Sequence, residues 1–348
     1  MKAWVRPCRV VLSVLGLAAC GSVQGPATGD DAGGGSGDGG VDGGIDAAPG
    51  QATSCVGLAA TCGSDGHDNC CNSPDVVGDV FYRSFDFAND PPISGNTSFP
   101  ATISDFRLDK YEVTVGRFRA FVNAGLGSQD NPPLTRSGAH AKILSSGWDS
   151  SWNTSLPANR AELLTKLKCD PDAPMWTDQP GGNENRPMNC LTWFEAMAFC
   201  TWDGGYLPTE TEWNYAATGG KEQRAFPWSV PAASLTVDLQ HASYNVDGLV
   251  NGPLLVVGSL PLGDGRWGQS DLAGNVAEWV LDFTAAYPSM CTDCANLATT
   301  ASRQSRGGGF GHGKSFLRTA FRVGVAPSNG SSLTGVRCAR PPSMAMAK

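Results

Sequence analysis

The chain has 348 residues, of which 41% are hydrophobic, and a formal net charge of −8 at pH 7. This length allows one large domain or two ordinary ones, and 44 glycines with 23 prolines predict many loops and turns. The chain is acidic and has no run of Lys or Arg, so it lacks the basic face of a nucleic-acid-binding protein. We therefore expect no nucleic-acid partner.

The first 20 residues have the pattern of an export signal. Lys2, Arg6 and Arg9 precede the apolar run VVLSVLGLAA, which is too short to span a bilayer as a stable helix. The run ends in LAACG, which is similar to the bacterial lipobox, whose cysteine becomes the lipidated N-terminus after cleavage. We interpret residues 1–20 as a lipoprotein signal peptide with lipidation at Cys20. The alternative is an ordinary signal peptide cut elsewhere.

Residues 21–51 are rich in Gly, Ala, Ser and Asp and contain no basic residue. Such a composition cannot bury a core, so we interpret this segment as a disordered tether. Some inner-membrane lipoproteins have an aspartate after the lipid cysteine, but Cys20 is followed by Gly21 and Ser22. We therefore expect an exported, lipid-anchored protein at the outer membrane or cell surface of a bacterium.

Ten cysteines follow Cys20, an even number that in an exported chain predicts up to five disulfides. Four of them, with His67, lie in residues 52–78, which we interpret as a disulfide-pinned lead-in. A metal site there is the alternative, but the segment has no paired CxxC motifs. Local pairs are expected for Cys169 with Cys190 and for Cys291 with Cys294, although the CTDC run of the latter pair could instead be a redox motif.

From residue 79 the pattern is that of a globular domain, which we place at residues 79–341. The segments 79–85 and 105–114 predict strands, and the second leads into a helix from Thr114 to Asn123. Residues 126–186 show little periodicity and predict long loops packed by tryptophans, namely Trp148, Trp152 and Trp176.

Two helix starts have capping boxes, at Thr192 with Glu195 and at Thr209 with Glu212. Pairs of glycines predict the ends of both helices, at 204–205 and 219–220.

The stretch Asp271 to Trp279, DLAGNVAEW, combines two carboxylates with a glycine turn. Gly274 allows the backbone to aim carbonyls and carboxylates at one point, as a calcium site requires. The alternative is an ordinary turn in which Glu278 is solvated and Trp279 packs inward. The spacing alone leaves both open.

Six segments in order, over roughly 230 residues, resemble the sulfatase-modifying factor family, which includes the formylglycine-generating enzymes. The segments are EVTVGRFRAFV (112–122), PMNCLTWFEAMAFCTWDGGYLPTETEW (187–213), FPW (226–228), DLAGNVAEW (271–279), RGGGF (306–310) and GVRCAR (335–340). The resemblance implies an α+β fold, compact, related to C-type lectins and rich in irregular loop.

The resemblance also implies structural calcium and one long-range disulfide. The calcium ligands carried over to this chain are Asp271, Gly274, Val276 and Glu278, and those of a second site begin with Asn245 and Val246. The implied disulfide joins Cys200 to Cys338.

The segment after RGG decides what function to expect. The family's oxidases have two cysteines there, five residues apart, that bind copper(I), whereas residues 307–318 of this chain contain no cysteine. We therefore expect no copper and assign no catalytic residue. His312, Lys314, Ser315 and Arg318 are the polar residues that we expect to line a binding cleft, and a loop without a ligand is the alternative.

The sequence thus predicts a surface-tethered lipoprotein whose calcium-binding domain, related to the sulfatase-modifying factors, is non-catalytic. It would act as a binding module for a peptide, a glycan or a partner protein. The alternative is an oxidase of the formylglycine-generating type, which converts a protein cysteine to formylglycine.

Overall fold

A computed structural model describes residues 52–86, 97, 99–248 and 250–344. All of them lie in one compact unit. The predicted signal peptide, Cys20 and the tether 21–51 lie outside the described residues. Among those that are described, no helix is long and apolar enough to cross a membrane.

The helices are α1 (Val115–Asn123), α2 (Arg160–Lys166), α3 (Trp193–Trp202) and α4 (Glu210–Ala217). Both predicted capping boxes are present, at the starts of α3 and α4. Helix α2 was missed, and the prediction of loop alone over residues 126–186 is wrong there. It has only seven residues and buries only Leu163, so its apolar periodicity is weak.

Strands in the described part of the chain are short and form three sheets. They are β1 (Asp75–Val76), β2 (Val80–Tyr82), β3 (Pro100–Thr102), β4 (Phe106–Leu108), β5 (Ala277–Phe283), β6 (Cys291–Thr292), β7 (Arg303–Arg306), β8 (Val323–Val325), β9 (Thr334–Gly335) and β10 (Ala339–Arg340). The sheet orders are β1-β4-β10, β2-β3-β6 and β8-β7-β5-β9. With the helices, these sheets make the mixed α+β fold that was expected.

The core lies between α3 and the central strand β5, which is buried along its whole length. The indole of Trp193 on α3 donates to the carbonyl of Val280, and the indole of Trp279 donates to that of Leu191, both at 2.9 Å. These bonds fix α3 against β5 and satisfy two buried N–H groups. Trp279 therefore packs inward, as one of the two interpretations of its turn expected.

Five disulfides join the ten cysteines from Cys55 to Cys338. They are Cys55–Cys71, Cys62–Cys70, Cys169–Cys190, Cys200–Cys338 and Cys291–Cys294. The three pairs expected from the sequence are among them, and the four cysteines of the lead-in pair with one another.

Candidate functional site: the loop after β7 and the acidic turn before β5

The loop after β7 begins with glycines because other residues do not fit its backbone. Gly307 and Gly308 have φ values of 85° and 64°, in the left-handed region. A Cβ atom at Gly307 would lie 3.0 Å from the carbonyl oxygen of Leu272, and one at Gly308 would lie 3.0 Å from that of Phe316. The chain can therefore turn sharply and pass close to two neighbouring segments.

Backbone hydrogen bonds hold this loop in place on both sides. Phe310 donates to the carbonyl of Asn275 at 2.8 Å, and the carbonyl of Phe310 accepts from Gly252 at 2.8 Å. The carbonyl of His312 accepts from Asn245 at 2.9 Å. The loop therefore ties the DLAGNVAEW turn to residues 245–252.

A cleft of about 620 Å³, which we call the loop cleft, opens beside Phe310. Its apolar wall includes Met175, Leu254 and Leu333. Its polar lining residues are Asp170, Asp172, Arg186, Asn251 and Ser332. Sequence reasoning missed these polar residues, because they come from four separate places in the chain that only the fold brings together.

The four residues predicted to bind a ligand do not form one group. His312, Lys314 and Ser315 lie on the loop, and the two latter side chains are exposed. Arg318 is buried and makes an ion pair with Asp86 at 2.7 Å. None of the four lines the loop cleft itself.

His312 is held as a neutral side chain. Its Nδ1 lies 2.9 Å from the N–H of Gly309 and therefore accepts, which places the proton on Nε2. Its ring stacks on Phe316 with 4.9 Å between centroids. Burial lowers the pKa of His312 below its usual value, so the ring is uncharged at pH 7.

The loop does not fit a copper(I) centre. Copper(I) requires soft ligands such as thiolates, and the cysteines of the described residues are all in disulfides. In that part of the chain, only one group of three or more His, Cys, Asp or Glu side chains has its ligand atoms within 4.8 Å of one another, namely Asp109, Asp203 and Cys338. Arg117 and Arg340 already pair with both of its carboxylates, and Cys338 is bonded to Cys200.

The turn before β5 is built by two residues in the left-handed region, Asp271 and Asn275, with φ values of 59° and 57°. Asp271 Oδ2 accepts the N–H of Gly258 at 2.6 Å. Glu112 closes the turn from the other side, since Oε1 accepts from the N–H of Val276 at 3.0 Å and Oε2 from the Asn275 amide at 2.7 Å.

Glu278 is neither solvated nor free. Arg337 donates to it through Nε at 2.9 and 2.8 Å and through Nη2 at 2.6 Å, and the indole of Trp213 donates at 2.7 Å. Both charged side chains are buried. These four contacts fill the acceptor capacity of a carboxylate. Glu278 could bind an ion only by giving up one of them.

The turn nevertheless has more negative charge than Arg337 alone neutralises. Burial, with the charges of Asp271 and Glu278, raises the pKa of Glu112 well above its usual value. Burial likewise raises the pKa of Asp271 to about 6. A hard dication would relieve this repulsion, so the donor set fits calcium in charge and in its oxygen chemistry. Asp271 and the carbonyls of Gly274 and Val276 are the ligands that remain uncommitted to Arg337.

The proposed second calcium site contains one unsatisfied oxygen. Asn245 is only 8% exposed, and its Oδ1 is buried without a hydrogen-bond partner. Its amide nitrogen donates to Asn251 Oδ1 at 3.3 Å. A buried amide oxygen without a donor is a suitable ligand for a hard cation. Val246, by contrast, is 45% exposed at the start of a surface loop.

The mixed fold, with its short strands and long irregular loops, is similar to that of a solved structure, PvdO from Pseudomonas aeruginosa. The TM-score is 0.51 at 22% identity, over 77% of this chain and 93% of that one. The sequence goes further than the fold. Residues 80–342 match the family of sulfatase-modifying factor enzyme 1-like domains, and the chain belongs to this family.

Relatives within the family differ in activity. A formylglycine-generating enzyme of Thermomonospora curvata is 28% identical over 271 residues, which are 69% of this chain and 83% of the relative. An inactive C-alpha-formylglycine-generating enzyme 2 of Bos taurus is 30% identical over 164 residues, or 45% of this chain and 52% of the relative. Membership therefore establishes the domain but not its catalytic status.

Proposed function

We propose that this chain is a non-catalytic member of the family and acts as a binding module. The observation that supports this most is the absence of cysteine from residues 307–318, where the family's oxidases have their copper ligands. His312 offers no replacement, because its imidazole is half-buried and hydrogen-bonded to its own loop, and among the described residues it belongs to no group of three or more potential metal ligands.

The loop cleft is the binding site in this proposal. Asp170 and Asp172 outweigh Arg186 and leave the lining with a net negative charge, while Met175, Leu254, Phe310 and Leu333 give it an apolar wall. A peptide segment with a basic side chain next to an apolar one matches this arrangement. The backbone bonds of Phe310 and His312 keep the loop ordered, so little entropy is lost when a ligand binds.

A library of synthetic heptapeptides tests the site directly. Leu333→Trp fills the loop cleft, and Leu262→Trp, on a turn outside the cleft where Leu262 is 58% exposed, is the matched control. Peptides with a basic side chain next to an apolar one should bind the wild type and Leu262→Trp with equal affinity. Their affinity for Leu333→Trp should be lower. Equal binding to the two variants would contradict the assignment of the cleft.

The second candidate function is an oxidase of the formylglycine-generating type, favoured by the relative in Thermomonospora curvata. If the protein is an oxidase, copper or another redox metal should remain bound to it after extensive dialysis. If it is a binding module, neither should remain. Elemental analysis of the dialysed protein distinguishes the two. Copper in a one-to-one ratio would favour the oxidase.

Calcium and the membrane anchor complete the proposal. Calcium would be held by Asp271 with the carbonyls of Gly274 and Val276, and it would stabilise the turn on which the loop rests. Lipid on Cys20, with the tether 21–51, would hold the domain clear of the outer membrane or cell surface. Mass spectrometry of the N-terminal peptide of the exported protein tests the lipid, and a free N-terminus elsewhere would exclude it.

A further inference from the structure

A second cavity, of about 790 Å³, lies on the other side of β5 from Asp282 and shares no lining residue with the loop cleft. Leu281 and Phe283 of β5, Arg303 of β7 and Trp152 all line it. We call it the Arg303 cavity. Its volume is within the range of small-molecule sites.

Arg303 is an unusual residue to find in this position. Its side chain is enclosed by aromatic rings, with the guanidinium carbon 3.4 Å from the ring centre of Phe283, 3.7 Å from Trp193 and 5.4 Å from Trp152. The residue is only 2% exposed. Burial lowers the pKa of Arg303 to about 9, so the guanidinium is still charged at pH 7.

The hydrogen-bonding capacity of this guanidinium is mostly unused. Nη1 donates to the carbonyl of Leu281 at 2.5 Å, and Nε is buried without a partner. Among the described residues, no Asp or Glu forms an ion pair with Arg303. Asp282, which interacts with it at longer range, faces another cavity and accepts from the N–H groups of Glu210 and Asn296.

Burying a charge without a counter-ion costs free energy of desolvation, and contacts with the aromatic rings offset only part of it. A guanidinium presents its donors in a fork that a carboxylate can accept with two oxygens. The other charged residues on the lining are Arg136 and Asp149, both exposed, and Asp149 is engaged in capping the turn at Ser151. The walls therefore leave a net positive charge.

We propose that the Arg303 cavity binds a small carboxylate with an aromatic or apolar body. The carboxylate would pair with Arg303, and the body would pack against Trp148, Trp152 and Leu297. This site is separate from the loop cleft, and either can exist without the other.

Two probes of equal shape test the charge requirement, namely N-acetylphenylalanine and N-acetylphenylalanine amide. Binding to the exported domain is measured by calorimetry and by the fluorescence of the tryptophans on the cavity wall. We expect saturable binding of the acid and at least tenfold weaker binding of the amide. Arg303→Gln should remove this difference between the probes.

Arg303 is buried, so its substitution could unfold the protein, and a second variant keeps the test decisive. Thr299→Trp places a large ring at the exposed edge of the cavity without changing Arg303, and Leu262→Trp is again the control. Folding is checked by circular dichroism. Thr299→Trp should no longer bind N-acetylphenylalanine, and Leu262→Trp should bind it as the wild type does. Equal binding of acid and amide, full binding by Thr299→Trp, or no saturation with either probe would overturn the proposal.

Discussion

Replacing Glu278 by Gln perturbs the most highly connected carboxylate of the acidic turn. Gln keeps the shape but has one acceptor oxygen, so its amide group would face donors of Arg337 or Trp213 that now contact the carboxylate at 2.6 to 2.9 Å. Removing one partner of a buried ion pair costs about 3–5 kcal/mol. Because Arg337 loses its ion-pair partner whether or not an ion is bound, we expect this loss both in calcium and in chelator.

For Asp271→Asn, unlike Glu278→Gln, we expect the effect on stability to depend on calcium. In chelator the Asp271 carboxylate is disfavoured, since burial raises its pKa to about 6, so Asn should cost little or even stabilise. In calcium, Asn removes the anionic ligand. The wild type should therefore gain stability with calcium, about 2.7 kcal/mol when the ion is at a hundred times its dissociation constant, and Asp271→Asn should not.

Urea unfolding at pH 7 measures both effects, with each variant in calcium and in chelator and with Asp130→Asn as an exposed control. A calcium response of Asp271→Asn equal to that of the wild type would refute the ion at this turn. A loss below about 1 kcal/mol for Glu278→Gln in chelator would refute the argument from the buried pair.

Three further predictions concern pH and crosslinking. In chelator the folded pKa of Asp271, about 6, lies above its unfolded value, so this residue should make the protein less stable as pH rises from 4 to 6, and Asp271→Asn should remove that slope. Burial raises the pKa of Glu195 to about 7, so Glu195→Gln should stabilise the folded protein by up to about 3 kcal/mol at pH 8 and have no effect at pH 4. Equal effects on the free energy of unfolding at both pH values would contradict this. Replacing both Cys200 and Cys338 by Ala removes a disulfide with a sequence separation of 138, whose stabilisation of the fold is about 5 kcal/mol from chain entropy. A loss of stability below about 2 kcal/mol in urea unfolding would contradict this.

Local signals in the sequence predicted local structure well. Thr192 and Thr209 start their helices as expected, because a capping box depends on residues only three apart. Helix α2 has a cap at Asn159 but too few buried residues to show a period. The pairing of Cys200 with Cys338 followed from a family resemblance, since spacing alone could not select it.

The candidate sites were less predictable, because their partners are distant in the sequence. Neither interpretation of Glu278, as a calcium ligand or as a solvated residue, anticipated Arg337, which lies 59 residues away. Arg318 looked like part of a ligand-binding loop, yet it pairs with Asp86. The Arg303 cavity depends on residues 135–152 meeting β5 and β7, and a sequence pattern cannot show that an arginine will be buried without a counter-ion.

The central claim is that this chain keeps the family fold without the copper chemistry of its oxidases. The most direct test incubates the purified protein with copper, oxygen, a reductant and a cysteine-containing sulfatase-type peptide, beside an active formylglycine-generating enzyme as positive control. Mass spectrometry then follows conversion of the cysteine to the aldehyde. We predict an unchanged peptide and no copper retained after dialysis. Aldehyde formed over repeated turnovers, with copper bound one to one, would contradict the claim.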